Sequence, residues 1–179
     1  MSGWILLRNE KYEIESNEKP VDLIIPDLNI MVRNTILNSG VSLWGSVNIY
    51  GAIIEKNVKI ATFVEIRKTV IIGSNTKIEP FTFIPEGVKI GKYVFVGPNV
   101  CFTNDRYPEA CNPDGTLKTA YEITPTFVED FVSIGAGSVI ICGVTIKKNA
   151  LIGAGSVVTN DVSENTIVYG QKAEFRKLR

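Results

Sequence analysis

A bulky apolar residue recurs at every sixth position through the middle of this chain: Ile54, Ile60, Ile66, Ile72, Ile78, Ile84, Ile90, Val96 and Phe102. After a break the series resumes at Val128, Ile134, Ile140, Ile146, Ile152 and Val158. Two positions before these stands a second, mostly small or β-branched residue, as in Val58, Val64, Val70, Thr76 and Thr82, and later Val132, Ser138, Val144, Ala150 and Ser156. A helix turns by about 100° per residue, so six steps rotate a side chain by about 240° and smear the apolar set around the cylinder. A strand places residues two apart on one face, so each hexad supplies two inward side chains followed by a turn. Gly73-Ser74-Asn75, Gly97-Pro98-Asn99, Gly135-Ala136-Gly137 and Gly153-Ala154-Gly155 fill the turn positions. The repeat predicts an all-β chain wound as a parallel β-helix, in which stacking of coils supplies the core.

These hexads resemble those of the hexapeptide-repeat acyltransferases. The resemblance runs from about residue 48 to the C-terminus and implies a left-handed β-helix of triangular section, with three short strands in each coil of 18 residues. Residues 1–40 depart from the period and are expected to form an N-terminal cap or irregular segment, with the β-helix domain over 41–179. Ile24, Ile30 and Ile36 fall in phase, yet Ser42 and Asn48 break the series while Val41, Val47 and Ile53 run one residue out of step. Such an offset predicts a bulged or irregular first coil. The end of the chain, Phe175-Arg176-Lys177-Leu178, reads as a short terminal helix or an extended tail that closes the coil.

The hexads stop between Thr103 and Pro125, where prolines at 108, 113 and 125 and the turn Pro113-Asp114-Gly115 predict a long loop. Loops longer than about 15 residues in a compact fold are functional or disordered as a rule, and this one is rich in Asn, Asp, Arg and Tyr. Removing it sets Val96-Gly97-Pro98-Asn99-Val100 one coil below Ile134, so the loop leaves the helix just beyond that corner.

Composition narrows the chemistry. The 179 residues carry 19 basic and 19 acidic side chains, so nothing in the charge points to nucleic acid or an anionic membrane. No apolar run approaches the roughly 20 residues that span a bilayer. Trp4-Ile5-Leu6-Leu7 is too short for the apolar region of a signal peptide, and the expected compartment is the cytoplasm. Cys101, Cys111 and Cys142 show no metal-ligand spacing; Cys101 and Cys142 lie within hexads and read as packing residues.

The chain has no histidine, which removes the usual general base and the commonest zinc ligand. A hydroxyl acceptor is a poor nucleophile until a base takes its proton. A neutral amine carries its own lone pair, attacks a thioester unaided and gains most from positioning. An acyltransferase of this fold without histidine therefore points to an amino acceptor, and no metal is expected. A zinc-dependent carbonic-anhydrase-like member of the same fold would need three histidines and is excluded. An O-acetyltransferase with a carboxylate base and a non-catalytic scaffold remain the alternatives.

Ile134-Gly135-Ala136-Gly137-Ser138 recurs 18 residues later as Ile152-Gly153-Ala154-Gly155-Ser156, one coil above. Small residues on one corner leave backbone groups open to a narrow ligand such as a pantetheine arm. Two stretches, Phe95–Pro108 and Thr124–Val162, resemble the branch that N-acetylates nucleotide-linked amino sugars, notably 3-amino sugars of surface glycans. That resemblance implies acetyl-CoA as co-substrate, a homotrimer and a nucleotide-linked amino sugar as acceptor. It places cofactor contacts at Gly135, Ala136, Ile141, Gly153, Ala154, Thr159, Lys172 and Arg176. Asn104 and Asp105 are the expected catalytic residues, and Arg67, Glu86, Asn99, Arg106, Tyr107 and Tyr121 the expected acceptor contacts: arginines for the diphosphate, tyrosines for a base or sugar face. Relatives often carry histidine within the stretch matching Glu79–Phe83 or at Pro98, and this chain has none there.

Overall fold

The computed structural model describes residues 3–7, 9–14, 19–171 and 174–178. Three parallel ladders of short strands form the faces of a solenoid of about eight turns. The first face stacks Val41–Leu43, Lys59–Ile60, Lys77–Ile78, Phe95–Val96, Ser133–Ile134, Leu151–Ile152 and Thr166–Tyr169. The second stacks Val47–Tyr50, Glu65–Ile66, Phe83–Ile84, Cys101–Phe102, Val139–Ile140 and Val157–Val158. The third carries Ile53–Ile54, Ile71–Ile72, Val88–Ile90, Thr126–Val128 and Thr145–Ile146. One 3-10 turn, Pro26–Leu28, is the only helical element among the described residues.

Both members of each hexad point inward, as the spacing requires. The sixth-position residues from Ile54 to Val158 are buried, and so are their partners Val58, Val64, Val70, Val132 and Ala150. Where the partner is Thr or Ser, the buried hydroxyl is satisfied by a turn carbonyl. Thr82 Oγ1 donates to Glu79 O at 2.8 Å and Gly97 O at 3.2 Å; Ser138 Oγ donates to Gly135 O at 2.8 Å and Gly153 O at 3.1 Å.

Most hexads turn their corner through one residue with positive φ, among them Asn57, Phe63, Thr69, Asn75, Phe81, Tyr93, Asn99, Phe131 and Asn149. The amide of that residue donates to a carbonyl of the coil before it, as in Phe81 N to Thr62 O at 3.2 Å and Phe131 N to Lys92 O at 2.9 Å. Left-handed conformation is unfavourable for a bulky side chain, and contact between successive corners offsets the cost. Phe63 stacks on Phe81 with centroids 4.9 Å apart, and Tyr93 on Phe131 at 4.7 Å. At two other corners the asparagines bond in pairs, Asn57 to Asn75 and Asn149 to Asn165.

The early offset in the sequence has a simple cause. Leu37 pairs with Ile54, Leu43 with Ile60 and Ile49 with Ile66, so the first coils step by 17 residues where later coils step by 18. The missing residue lies at the corner containing Gly51, which has a φ of 64°. As a result Val41 and Val47 point inward, whereas Ile24 and Ile36, in phase by sequence, face outward or lie at the margin, and Ile53, beyond the short corner, faces outward.

The ends close with antiparallel strands. Strand β1 (Gly3–Leu7) joins the first face below Val41–Leu43, burying Ile5 and Leu7, and β2 (Glu10–Ile14) folds back along it. Strand β3 (Val21–Ile25) runs antiparallel to β4 (Ile30–Leu37), which bends across the second and third faces. At the other end Glu174–Leu178 is a strand, not a helix, and returns antiparallel along Thr166–Tyr169. Phe81→Val, which puts a β-branched residue at a φ of 62° and removes the stacked ring, should lower the unfolding free energy in urea by about 1–2 kcal/mol. Phe81→Asn, the residue used at neighbouring corners, should cost less than half of that.

Candidate functional site

The corner between the first and second faces is bare over its upper coils. Gly97, Gly135 and Gly153 lie in one column, since Val96 pairs with Ile134 and Ile134 with Ile152. A Cβ on Gly135 would fall 2.4 Å from Ala154 N, and one on Gly97 would fall 2.7 Å from Ala136 N, so close stacking of coils requires glycine there. Gly137 and Gly155 face open space instead, with nothing within 4 Å of a Cβ position. Only the methyls of Ala136 and Ala154 project from the turns, and among the described residues no hydrogen bond engages their N–H groups. The Ser138 and Ser156 hydroxyls hold the carbonyls of Gly135 and Gly153 from within. The product is a strip of small exposed residues with unengaged N–H groups repeating at about 4.8 Å, able to pair with an extended amide-bearing ligand. Tyr169 packs above Gly153, and the Arg176 guanidinium lies 5.0 Å over its ring, at the upper end of the strip.

The structure brings Gly135, Ala136, Gly153, Ala154 and Arg176 to this one corner, with Asn99 on the same column below Gly137. Ile141 and Thr159 stack on one another at the opposite edge of the second face, where Ile141 N donates to Val158 O at 3.0 Å. Lys172 falls outside the described residues.

The loop 103–125 leaves that same opposite edge, between Phe102 and Thr126. It contains a small hairpin, with Cys111 bridged to Leu117 and a turn through Pro113-Asp114-Gly115. Thr116 donates to Asp114 Oδ1 from its amide at 3.0 Å and from its hydroxyl at 2.6 Å, which holds that carboxyl below its usual range. At the base, Thr124 N donates to Asn104 O and Cys142 N donates to Thr103 Oγ1. Asp105 accepts from Tyr107 N at 2.9 Å, Arg106 donates to Cys142 O at 3.3 Å, and Tyr107 is 79% exposed.

Glu86 and Tyr121 meet each other. The carboxylate is 7% exposed and accepts from Tyr121 Oη at 3.2 Å while pairing with Lys68 Nζ at 3.3 Å. The loop is thereby tied down on the coil beneath it. Arg67, on the second face, donates to Glu65 at 2.9 Å and lies between the rings of Tyr50 and Phe83, 5.8 and 5.6 Å away. Partial burial works against its charge, but the Glu65 hydrogen bond and the neighbouring Tyr50, Glu65 and Tyr121 outweigh it and raise its pKa. Cys142 is buried, and burial pushes the half-buried Cys101 thiol up, away from the reactive thiolate. Among the described residues no cluster of His, Cys, Asp and Glu is arranged to hold a metal, and no helix is long and apolar enough to cross a membrane. A cleft lies elsewhere on the same corner, lower on the first face, beside Trp44, Lys59 and Lys77, residues to which sequence reasoning assigned no role. Two lysines 18 residues apart on the outer face were the available signal.

A parallel solenoid of hexads with a bare glycine corner defines the hexapeptide-repeat class. The pattern described as bacterial transferase hexapeptide (six repeats) matches residues 69–104 and 125–160, and those coils carry that family's repeat. It is 39% identical over 127 residues to the bifunctional protein GlmU of Thermotoga maritima, spanning 71% of this chain and 25% of that protein. The chain thus spans about a quarter of the length of that curated relative. A hexapeptide-repeat acetyltransferase of Vibrio cholerae, VCA0836, solved with acetyl coenzyme A, is 32% identical with a TM-score of 0.53, covering 63% of this chain and 62% of that one. AntD, an N-acyltransferase from Bacillus cereus solved with dTDP and 3-hydroxybutyryl-CoA, has the same fold at a TM-score of 0.64 and 19% identity, covering 84% and 80%.

Two variants test the local geometry. Gly135→Ala should destabilise the protein by about 1–3 kcal/mol in chemical unfolding, because its methyl meets backbone that cannot move aside. Tyr121→Phe should leave global stability nearly unchanged yet speed amide exchange through residues 119–124 at least threefold, read by hydrogen exchange with mass spectrometry.

Proposed function

We propose that this protein transfers acetyl from acetyl-CoA to the amino group of a nucleotide-linked amino sugar, a precursor of surface glycan. The observation that carries the reading is the bare corner: successive turns present the exposed small residues Ala136 and Ala154, whose N–H groups have no hydrogen-bond partner among the described residues, next to glycine carbonyls held by serine hydroxyls. A pantetheine arm has two amides on a narrow chain and matches such a strip. Acetyl coenzyme A on VCA0836, at 32% identity, supports the cofactor, and an N-acyltransferase of this fold with dTDP supports an amine on a nucleotide-linked acceptor.

The absence of histidine supports the amine independently. The neutral amine attacks the thioester carbonyl, the tetrahedral intermediate expels the coenzyme A thiolate as the C–S bond breaks, and the surplus amine proton passes to that thiolate or to water. Asn99 is the exposed polar side chain on the corner itself, and its amide suits hydrogen bonding to the developing oxyanion. Asn104 and Asp105 stand one short strand away and form the wall from which the loop contacts the acceptor. The carboxylates of Asp105 and Glu86 are already engaged within the chain, which disfavours either as base for a hydroxyl acceptor.

The second face presents an outward ladder of Phe83, Cys101, Val139 and Val157, an apolar strip suited to packing against further copies. Three copies closing around such faces would set each corner beside a neighbour's loop, consistent with a homotrimeric enzyme in the cytoplasm. Acetyl-CoA should raise the melting temperature by several degrees, and Ala154→Trp, filling the strip, should abolish the shift. Thiol release should occur with nucleotide-linked amino sugars and not with their hydroxy counterparts, and Asn99→Ala should lower kcat by ten- to a hundredfold. Turnover on hydroxy sugars alone would overturn the amine assignment.

A further inference from the structure

The cleft on the first face has a volume of about 520 Å³, within the range of small-molecule sites. Its floor carries Lys59 and Lys77, paired in register on adjacent rungs. Like charges directly opposite one another on a ladder repel, and the local carboxylate compensates only one of them: Glu79 pairs with Lys77 at 3.2 Å, while Lys59 has no ion-pair partner among the described residues. The cleft therefore holds an excess positive charge on two lysines whose strands are adjacent rungs of one ladder. Its wall is Trp44, 43% exposed, and its lower end is closed by Leu6 and Asn9 from the β1–β2 hairpin.

Position adds a second argument. Leu43 pairs with Ile60, Ile60 with Ile78 and Ile78 with Val96, so the residues that follow them, Trp44, Ala61, Glu79 and Gly97, form one column. That column continues upward as Gly135 and Gly153. The cleft and the bare strip are thus two parts of a single corner, meeting at Gly97.

We infer that this cleft binds the nucleoside diphosphate of the acceptor, with Lys59 and Lys77 on the phosphates and the Trp44 indole against the base. The inference rests on the acetyltransferase reading for what the ligand is attached to, and it directs the sugar up the column to Gly97 and Asn99, where the strip ends. Paired point charges suit a diphosphate, and a flat indole beside them suits a base. Arg67, held by Glu65 between two rings, and Arg106, bonded to Cys142 O, are then not needed for that diphosphate.

Calorimetric titration with dTDP, GDP and UDP, and separately with coenzyme A, tests the assignment. At least one nucleotide should bind the unmodified protein, more weakly as salt rises. Lys59→Ala and Trp44→Ala should each weaken that binding at least tenfold, and Lys77→Gln at least fivefold, with coenzyme A affinity within twofold of the original; the latter also certifies the fold. Unchanged nucleotide binding in the variants, or no binding of any of the three to the unmodified protein, overturns the cleft. Nucleotide binding lost in the variants while the unmodified protein transfers no acetyl to any amine would leave the cleft standing and overturn the activity instead.

Discussion

Beside the ladder bonds of its strands, each coil of this protein is tied to its predecessor at its corners by amides of residues held at positive φ. Those bonds set the period, because they are met only if the chain turns after the same short interval each time. Everything else follows from the regular stacking: the inward pair in every hexad, the columns on each corner, and the strip on which a ligand can lie. The cost is borne by side chains that ordinarily avoid this conformation. Here they offset it by contact along the column, ring on ring for Phe63 with Phe81 and Tyr93 with Phe131, amide on amide for Asn57 with Asn75.

The same columns separate structural glycines from accessible ones. Gly135 lies against Ala154 backbone and Gly137 borders solvent, two residues apart on one turn. A glycine-rich corner therefore combines two requirements, close packing between coils and an unobstructed outer surface. Buried hydroxyls join them: Ser138 uses one oxygen to fix carbonyls of two successive turns, making the exposed groups rigid from the core side.

The period was legible because inward residues of a two-residue strand are chosen by burial alone, and the loop was legible as its interruption. What escaped the sequence depends on contacts between distant segments. Glu86 is expected from the sequence to contact an acceptor, yet it is buried and bonded to Tyr121, 35 residues on, a contact no local pattern shows. Ile5 and Leu7 are too few to show a period, but they complete a rung of the first face. Ile36 fell in phase and Leu37 did not, and only the 17-residue step of the first coils shows why Leu37 is the buried one. The lysine pair and Trp44 share a cleft because outward residues of successive coils align, a relation visible only once the coil length is known.

A stack of parallel strands has no natural stopping point, since its terminal rungs offer unpaired backbone groups to any further strand. Here the first face ends at both extremes in a strand of reversed direction, Glu10–Ile14 below and Glu174–Leu178 above. Reversal breaks the parallel template on which another coil would be laid, so the two hairpins act as terminators of growth. On the first face the two hairpins thus mark the limits of the parallel ladder.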